Sequence, residues 1–176
     1  LKHYIYTVLD NYSRFIHSWQ IEAVVSAKIR LKTIQNAIEN TFGDNPFEEV
    51  QLVTDGGPEN DNRTIKKFVQ MNNIHHTIAL KDIKQSNSMM EAFYRTSKYQ
   101  YLYLKQILNR EQLRKEFTQW IKEYNTEKPL CALGIYTPLE VLNGADLNLS
   151  HRNIFLQAAK QRREINKSLK CSVKCD

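Results

Sequence analysis

The sequence predicts an α/β fold in which a mixed sheet is flanked by helices. Three observations carry this. Short stretches rich in β-branched and aromatic residues recur at 2–8, 15–23, 50–53 and 74–80, the composition of strands. Stretches with apolar residues three and four apart, the period of a helix, lie between and after them. A strand, a helical stretch and another strand follow one another from residue 15 to 53, the order of a crossover unit, whose connection should be right-handed.

Residues 2–8 and 15–23 form a hairpin around the polar bend Asp10-Asn11-Tyr12-Ser13-Arg14, with Asp10 as a structural turn residue. Residues 24–42 make a helix on Ala27, Leu31, Ile34, Ile38 and Phe42, with Ser26 as cap and Gly43 as stop. The strand at 50–53 runs into a glycine turn. Asp61 or Asn62 caps the next helix, whose apolar positions are Ile65, Phe68, Val69 and Met71, and Asn72-Asn73 ends it. On the strand at 74–80, His75 and His76 point to opposite faces and cannot easily share one ion. Residues 81–88 are polar and lack apolar periodicity, as a loop does.

A helix through Glu91 follows, with Met90, Tyr94, Ser97, Tyr101, Leu104 and Leu108 on one face and Glu91, Arg95, Lys98 and Lys105 on a neighbouring stripe. At ~100° per residue, Lys98 lies about 20° from Glu91 around the axis. Residues 111–124 read as another amphipathic helix, with Leu113, Phe117, Trp120, Ile121 and Tyr124 inward. Thr137-Pro138 starts a further one. Ile154, Ala158, Ile165 and Leu169 suggest a helix from about 151 to 169.

The 176 residues, 41% hydrophobic and 25% charged, suit one domain with a real core and a tail. No apolar run approaches the roughly 20 residues that span a bilayer, so no membrane partner is expected. The charge of +6 is uneven: residues 151–176 hold seven Lys/Arg against two Asp/Glu, leaving 18 against 17 in the rest. That tail is either a solvated helix face or a phosphate contact. We place its boundary after residue 144, giving a core of 1–144 and a tail of 145–176. Three Cys, an odd number, suit a reducing cytoplasm. Cys171 and Cys175 are half of a zinc site at most and read as free thiols; their role is not legible.

The chemistry centres on residues 55–91. Leu52-Val53-Thr54-Asp55-Gly56-Gly57-Pro58-Glu59-Asn60 delivers a carboxylate from a strand end into a tight turn, and Asn87-Ser88-Met89-Met90-Glu91 places a second on a helix. Two such carboxylates can converge on Mg²⁺, which takes hard oxygen ligands. The 35 residues between Asp55 and Glu91, the Asp55-Gly56-Gly57 turn, the basic Arg95 and Lys98, and the Tyr124-Asn125-Thr126-Glu127-Lys128-Pro129 and Thr137-Pro138 stretches resemble the catalytic core of DDE integrases and insertion-sequence transposases. The resemblance runs from about residue 3 to 144, with Lys128 where the family has Arg.

The resemblance implies a ribonuclease-H-like fold and a bacterial, cytoplasmic polynucleotidyl transferase that cleaves DNA and transfers strands. Its partners would be transposon ends, target DNA and further copies of itself. Asp55 and Glu91 would ligate Mg²⁺ or Mn²⁺. Arg95 and Lys98 would hold DNA, with Asn60 and Gln85 helping to position it. The family's first Asp sits on a strand that would precede Leu1, so the first strand and one metal ligand are expected to be missing and the chain as it stands inactive. An inert DNA-binding or dimerisation remnant and a ribonuclease-H-like nuclease are the alternatives.

Overall fold

The structure, a computed structural model, describes residues 2–44, 47, 49–79, 87–147 and 149–168. The chain runs β1 (Tyr4–Leu9), β2 (Ile16–Glu22), α1 (Ala27–Phe42), β3 (Val50–Thr54), α2 (Arg63–Met71), β4 (Ile74–Ile78), α3 (Ser88–Gln100), α4 (Arg110–Thr126), α5 (Pro138–Leu142) and α6 (Leu149–Ser168). Cys171, Cys175, Leu169 and Gln85 lie outside the described residues.

The local signals in the sequence fix most boundaries. Ser26 accepts from the Lys28 amide at the start of α1, and Gly43 closes it at φ 58°. Asn62 caps α2 through the Ile65 amide at 3.0 Å. Thr137 and Glu140 form a reciprocal capping box on α5, with Pro138 in its first turn, so two orphan amides of a short helix find partners. In the hairpin bend Asp10 accepts from the Ser13 amide at 2.8 Å, the Ser13 hydroxyl at 2.5 Å and the Tyr12 amide at 3.2 Å. Asp10 is thus the turn residue its surroundings suggested.

Two expectations are corrected. The hydrogen-bonded strands form two separate ladders among the described residues. β1 pairs antiparallel with β2, from Tyr4↔Glu22 to Leu9↔Ile16. β3 pairs parallel with β4, from Val50↔Ile74 to Thr54↔Ile78. The crossover from β2 through α1 therefore joins different ladders, and the parallel crossover within one ladder is β3–α2–β4.

The helix through Glu91 also ends sooner than its apolar stripe predicts. α3 stops at Gln100, a 3-10 turn follows at Leu102–Leu104, and Leu104 and Leu108 are exposed. Tyr101 and Leu102, at the start of this turn, both enter the core. Tyr101 packs on Trp120 with centroids 4.9 Å apart. Lys105, no longer on the Glu91 stripe, pairs with Glu116 at 2.5 Å.

Two apolar clusters result. One gathers Ile16 and Ile21 of the hairpin with Phe93, Tyr101, Leu102, Phe117, Trp120, Ile121 and Tyr124. The other joins Ile34, Ile65, Val69 and Ile74 beneath the β3–β4 ladder. β1 serves both: Ile5 and Leu9 pack on the first and Val8 on the second. The Asn125 side chain clips the start of β2 to α4. Its amide donates to the Ile16 carbonyl and its oxygen accepts from the Ile16 amide, both at 3.0 Å. No helix among the described residues is long and apolar enough to cross a membrane.

Candidate active site

Between β1 and the C-terminal end of β3 an open cleft of about 200 Å³ lies along the seam of the two clusters. Tyr4 to Thr7 line it on one side and Val53, Thr54 and Asp55 on the other. Arg30 of α1, Asn87 just before α3, and Met90 and Tyr94 of α3 close it, with Glu59 and Asn60 from the turn.

Asp55 reaches this cleft because β3 ends there. The preceding Thr54, 2% exposed, ties its hydroxyl to His76 Nε2 at 2.8 Å and so fixes the strand end to β4. Burial lowers the His76 pKa, with Arg30 and Lys66 lowering it further against Asp61, so the ring stays a neutral partner of Thr54. His75, on the opposite face, is exposed.

Asp55 is held from one side only. Its Oδ1 accepts from Asn60 Nδ2 at 2.5 Å, with the Gly57 amide farther off at 3.4 Å. Oδ2 takes no hydrogen bond among the described residues. Asn60 in turn accepts from Arg30 Nε at 2.7 Å, and Arg30 Nη1 donates to the Thr7 carbonyl at 3.0 Å. A chain of contacts therefore runs from β1 through a buried guanidinium and a buried amide to the carboxylate. Burial pulls the Arg30 pKa down, opposed by Tyr94, Asp55 and Glu59. Asn60 is only 4% exposed, so it orients Asp55 and is not open to DNA as the sequence suggested.

Tyr94 seals the α3 side. Its hydroxyl donates to the Ile5 carbonyl at 2.9 Å and meets Thr7 Oγ1 at 2.8 Å. Burial raises its pKa, with the Thr7 hydroxyl and Arg30 working against the shift. Glu91 follows Met90 in the first turn of α3. It is exposed and is not itself a lining residue, so it stands beside the cleft wall rather than within it. Arg95 and Lys98 are exposed farther along the same helix, and the Lys98 ammonium sits 6.0 Å from the Tyr94 ring centroid. Two cleft residues escaped sequence reading. Glu59 was signalled only by lying in the same turn as Asp55, and Arg30 had no local signal.

Asp55 Oδ2 and the Glu91 carboxylate accept no hydrogen bond among the described residues, and both are hard oxygens, the donor type that Mg²⁺ or Mn²⁺ takes. No cluster of three or more His, Cys, Asp or Glu forms a complete metal site among the described residues.

Residues 75–138 match the family described as integrase core domain. The putative transposase InsK of insertion sequence element IS150 from Escherichia coli K12 is 24% identical over 143 residues, 81% of this chain and 49% of that protein. The chain thus spans about half the length of that curated relative. Among solved structures, the simian T-cell lymphotropic virus intasome in complex with a PP2A regulatory subunit matches at TM-score 0.64 and 16% identity, over 81% of this chain and 49% of that one. The HTLV-2 integrase catalytic core domain in complex with magnesium matches at 0.57 and 14%, over 80% and 90%. The catalytic core domain of BIV integrase matches at 0.57 and 17%, over 79% and 84%. The fold is that of integrase catalytic cores, which is ribonuclease-H-like.

Proposed function

We propose, from the premise that this chain carries the core of the DDE integrases and transposases, that it serves DNA cleavage and strand transfer with a divalent metal held by Asp55 and Glu91. The observation that carries this reading is the orientation of Asp55. An Arg30–Asn60 relay holds one carboxylate oxygen of this cleft residue, and the other accepts no hydrogen bond among the described residues.

Each residue has a physical role. Asp55 offers a ligand oxygen from a strand end that Thr54 and His76 hold still. Glu91 offers a second from the first turn of α3. Arg95 and Lys98, exposed on the same helix, attract the phosphodiester and steer it toward the carboxylates. Tyr94 and Met90 wall the cleft and limit water on one side. A divalent ion bound there supplies an activated water and stabilises the leaving oxygen.

A third carboxylate belongs to the reading. The β1 edge and the end of β3 face one another across the cleft without pairing. The resemblance to integrase cores is what implies that third acid, beside Asp55. DNA at a mobile element's ends and at its target is the substrate this implies. The similarity to an insertion-sequence transposase supports it.

The test is strand transfer with Mg²⁺ or Mn²⁺ by a version of the protein extended upstream to include an Asp-bearing strand. Asp55→Asn and Glu91→Gln should each abolish product while leaving the thermal unfolding profile in place. Full activity in either variant contradicts the reading.

A further inference from the structure

We propose that Tyr99 and Tyr103 form a stacking platform for unpaired bases of a DNA strand, at the far end of the track that starts at Glu91. The proposal rests on the strand-transfer reading above for its substrate. Its structural basis is separate.

Glu91, Arg95, Lys98 and Tyr99 occupy one sector of α3, within about 100° of one another around the axis. All four are exposed, while Phe93 and Ser97 on the other side are buried. The distance along the axis from Glu91 to Tyr99 is about 12 Å at 1.5 Å per residue. Tyr103, on the 3-10 turn where α3 breaks, comes back beside Tyr99. The two rings meet edge to face, 5.3 Å between centroids and 85° between planes. Tyr99 is 66% exposed and Tyr103 65%, so most of both rings faces solvent.

Charge and aromaticity together select the occupant. Arg95 and Lys98 make no ion pair among the described residues, and two cations next to exposed rings suit a phosphodiester strand with open base faces. Fully paired DNA keeps its base faces stacked and offers the rings nothing.

The experiment is metal-free binding of the 176-residue chain to a short fluorescein-labelled oligo-dT and to a duplex of equal length. Tyr99→Ser with Tyr103→Ser should weaken oligo-dT binding about tenfold or more and change duplex binding less than about twofold. Tyr99→Phe with Tyr103→Phe should bind oligo-dT as the parent does. Unchanged oligo-dT affinity in the serine variant overturns the proposal. So does an equal loss for both probes, or a sedimentation shift showing that the rings join two copies. The rings act without metal. A strand-transfer assay that clears the carboxylates of any role would therefore strike the catalytic reading and leave the platform standing.

Discussion

Asp55 takes its orientation from Asn60, and Asn60 takes its own from Arg30. Partners of this kind fix ligand geometry, and losing one typically costs 10–100-fold in metal affinity. Asn60→Ala should therefore weaken Mn²⁺ binding to the Asp55 site by about that factor, read by calorimetric titration. An unchanged affinity would mean that the amide is packing only. The sequence announced Asp55 through its glycine turn. It could not announce Arg30, because nothing local places a helical guanidinium 25 residues upstream into the same cleft.

Asp10 makes a pH prediction at the same scale. Burial pushes its pKa up, but hydrogen bonds from the Ser13 hydroxyl, the Ser13 amide and the Tyr12 amide outweigh it, and the net value lies below the ordinary one. A depressed carboxylate pKa stabilises the fold above the unfolded-state value of about 3.9. That contribution disappears as pH falls through the folded-state pKa. Urea unfolding of the parent and of Asp10→Ala should differ at pH 7 and converge as the pH drops below about 4. A difference that persists unchanged in acid would assign the effect to packing.

Among the elements, α3 and α4 decide the cleft's far wall. Trp120 donates to Ser97 Oγ at 2.8 Å, inside a cluster where Phe93 and Tyr124 meet edge to face at 5.0 Å. Asn125 then ties α4 to the start of β2. Asn125→Ala leaves the Ile16 amide and carbonyl without their partner in a buried place. Each such group costs about 1–3 kcal/mol. The expected loss is thus about 2–6 kcal/mol in urea unfolding, and a change below about 0.5 kcal/mol would contradict this role.

Helix starts were legible where they are local. Ser26, Asn62 and Thr137-Pro138 each cap as their side chains dictate. The end of α3 was not. Periodicity carried it to Leu108, while the helix stops at Gln100 and a 3-10 turn takes Leu102 into the cluster it shares with α4. That competition is tertiary and leaves no trace in a single stretch.

At the scale of the molecule, the cleft is the seam between two apolar clusters and two ladders that do not join among the described residues. Its position follows from topology, with β1 contributing to both sides. Nothing in the strand stretches indicates that they divide into two ladders, because strand composition says nothing about which edges pair. The basic helix α6 stands apart from this arrangement: Ile154, Phe155 and Leu156 are exposed on it, so its apolar residues do not enlarge either cluster.

The central claim is that Asp55 and Glu91, one at the cleft and one beside its wall, serve the same divalent ion. Paramagnetic broadening of backbone amide signals by substoichiometric Mn²⁺ tests it most directly. The account predicts that amides around residues 55–60 and 88–92 broaden together, and that Asp55→Asn removes both effects. Broadening confined to one of the two stretches, or broadening at both that survives Asp55→Asn, would contradict it.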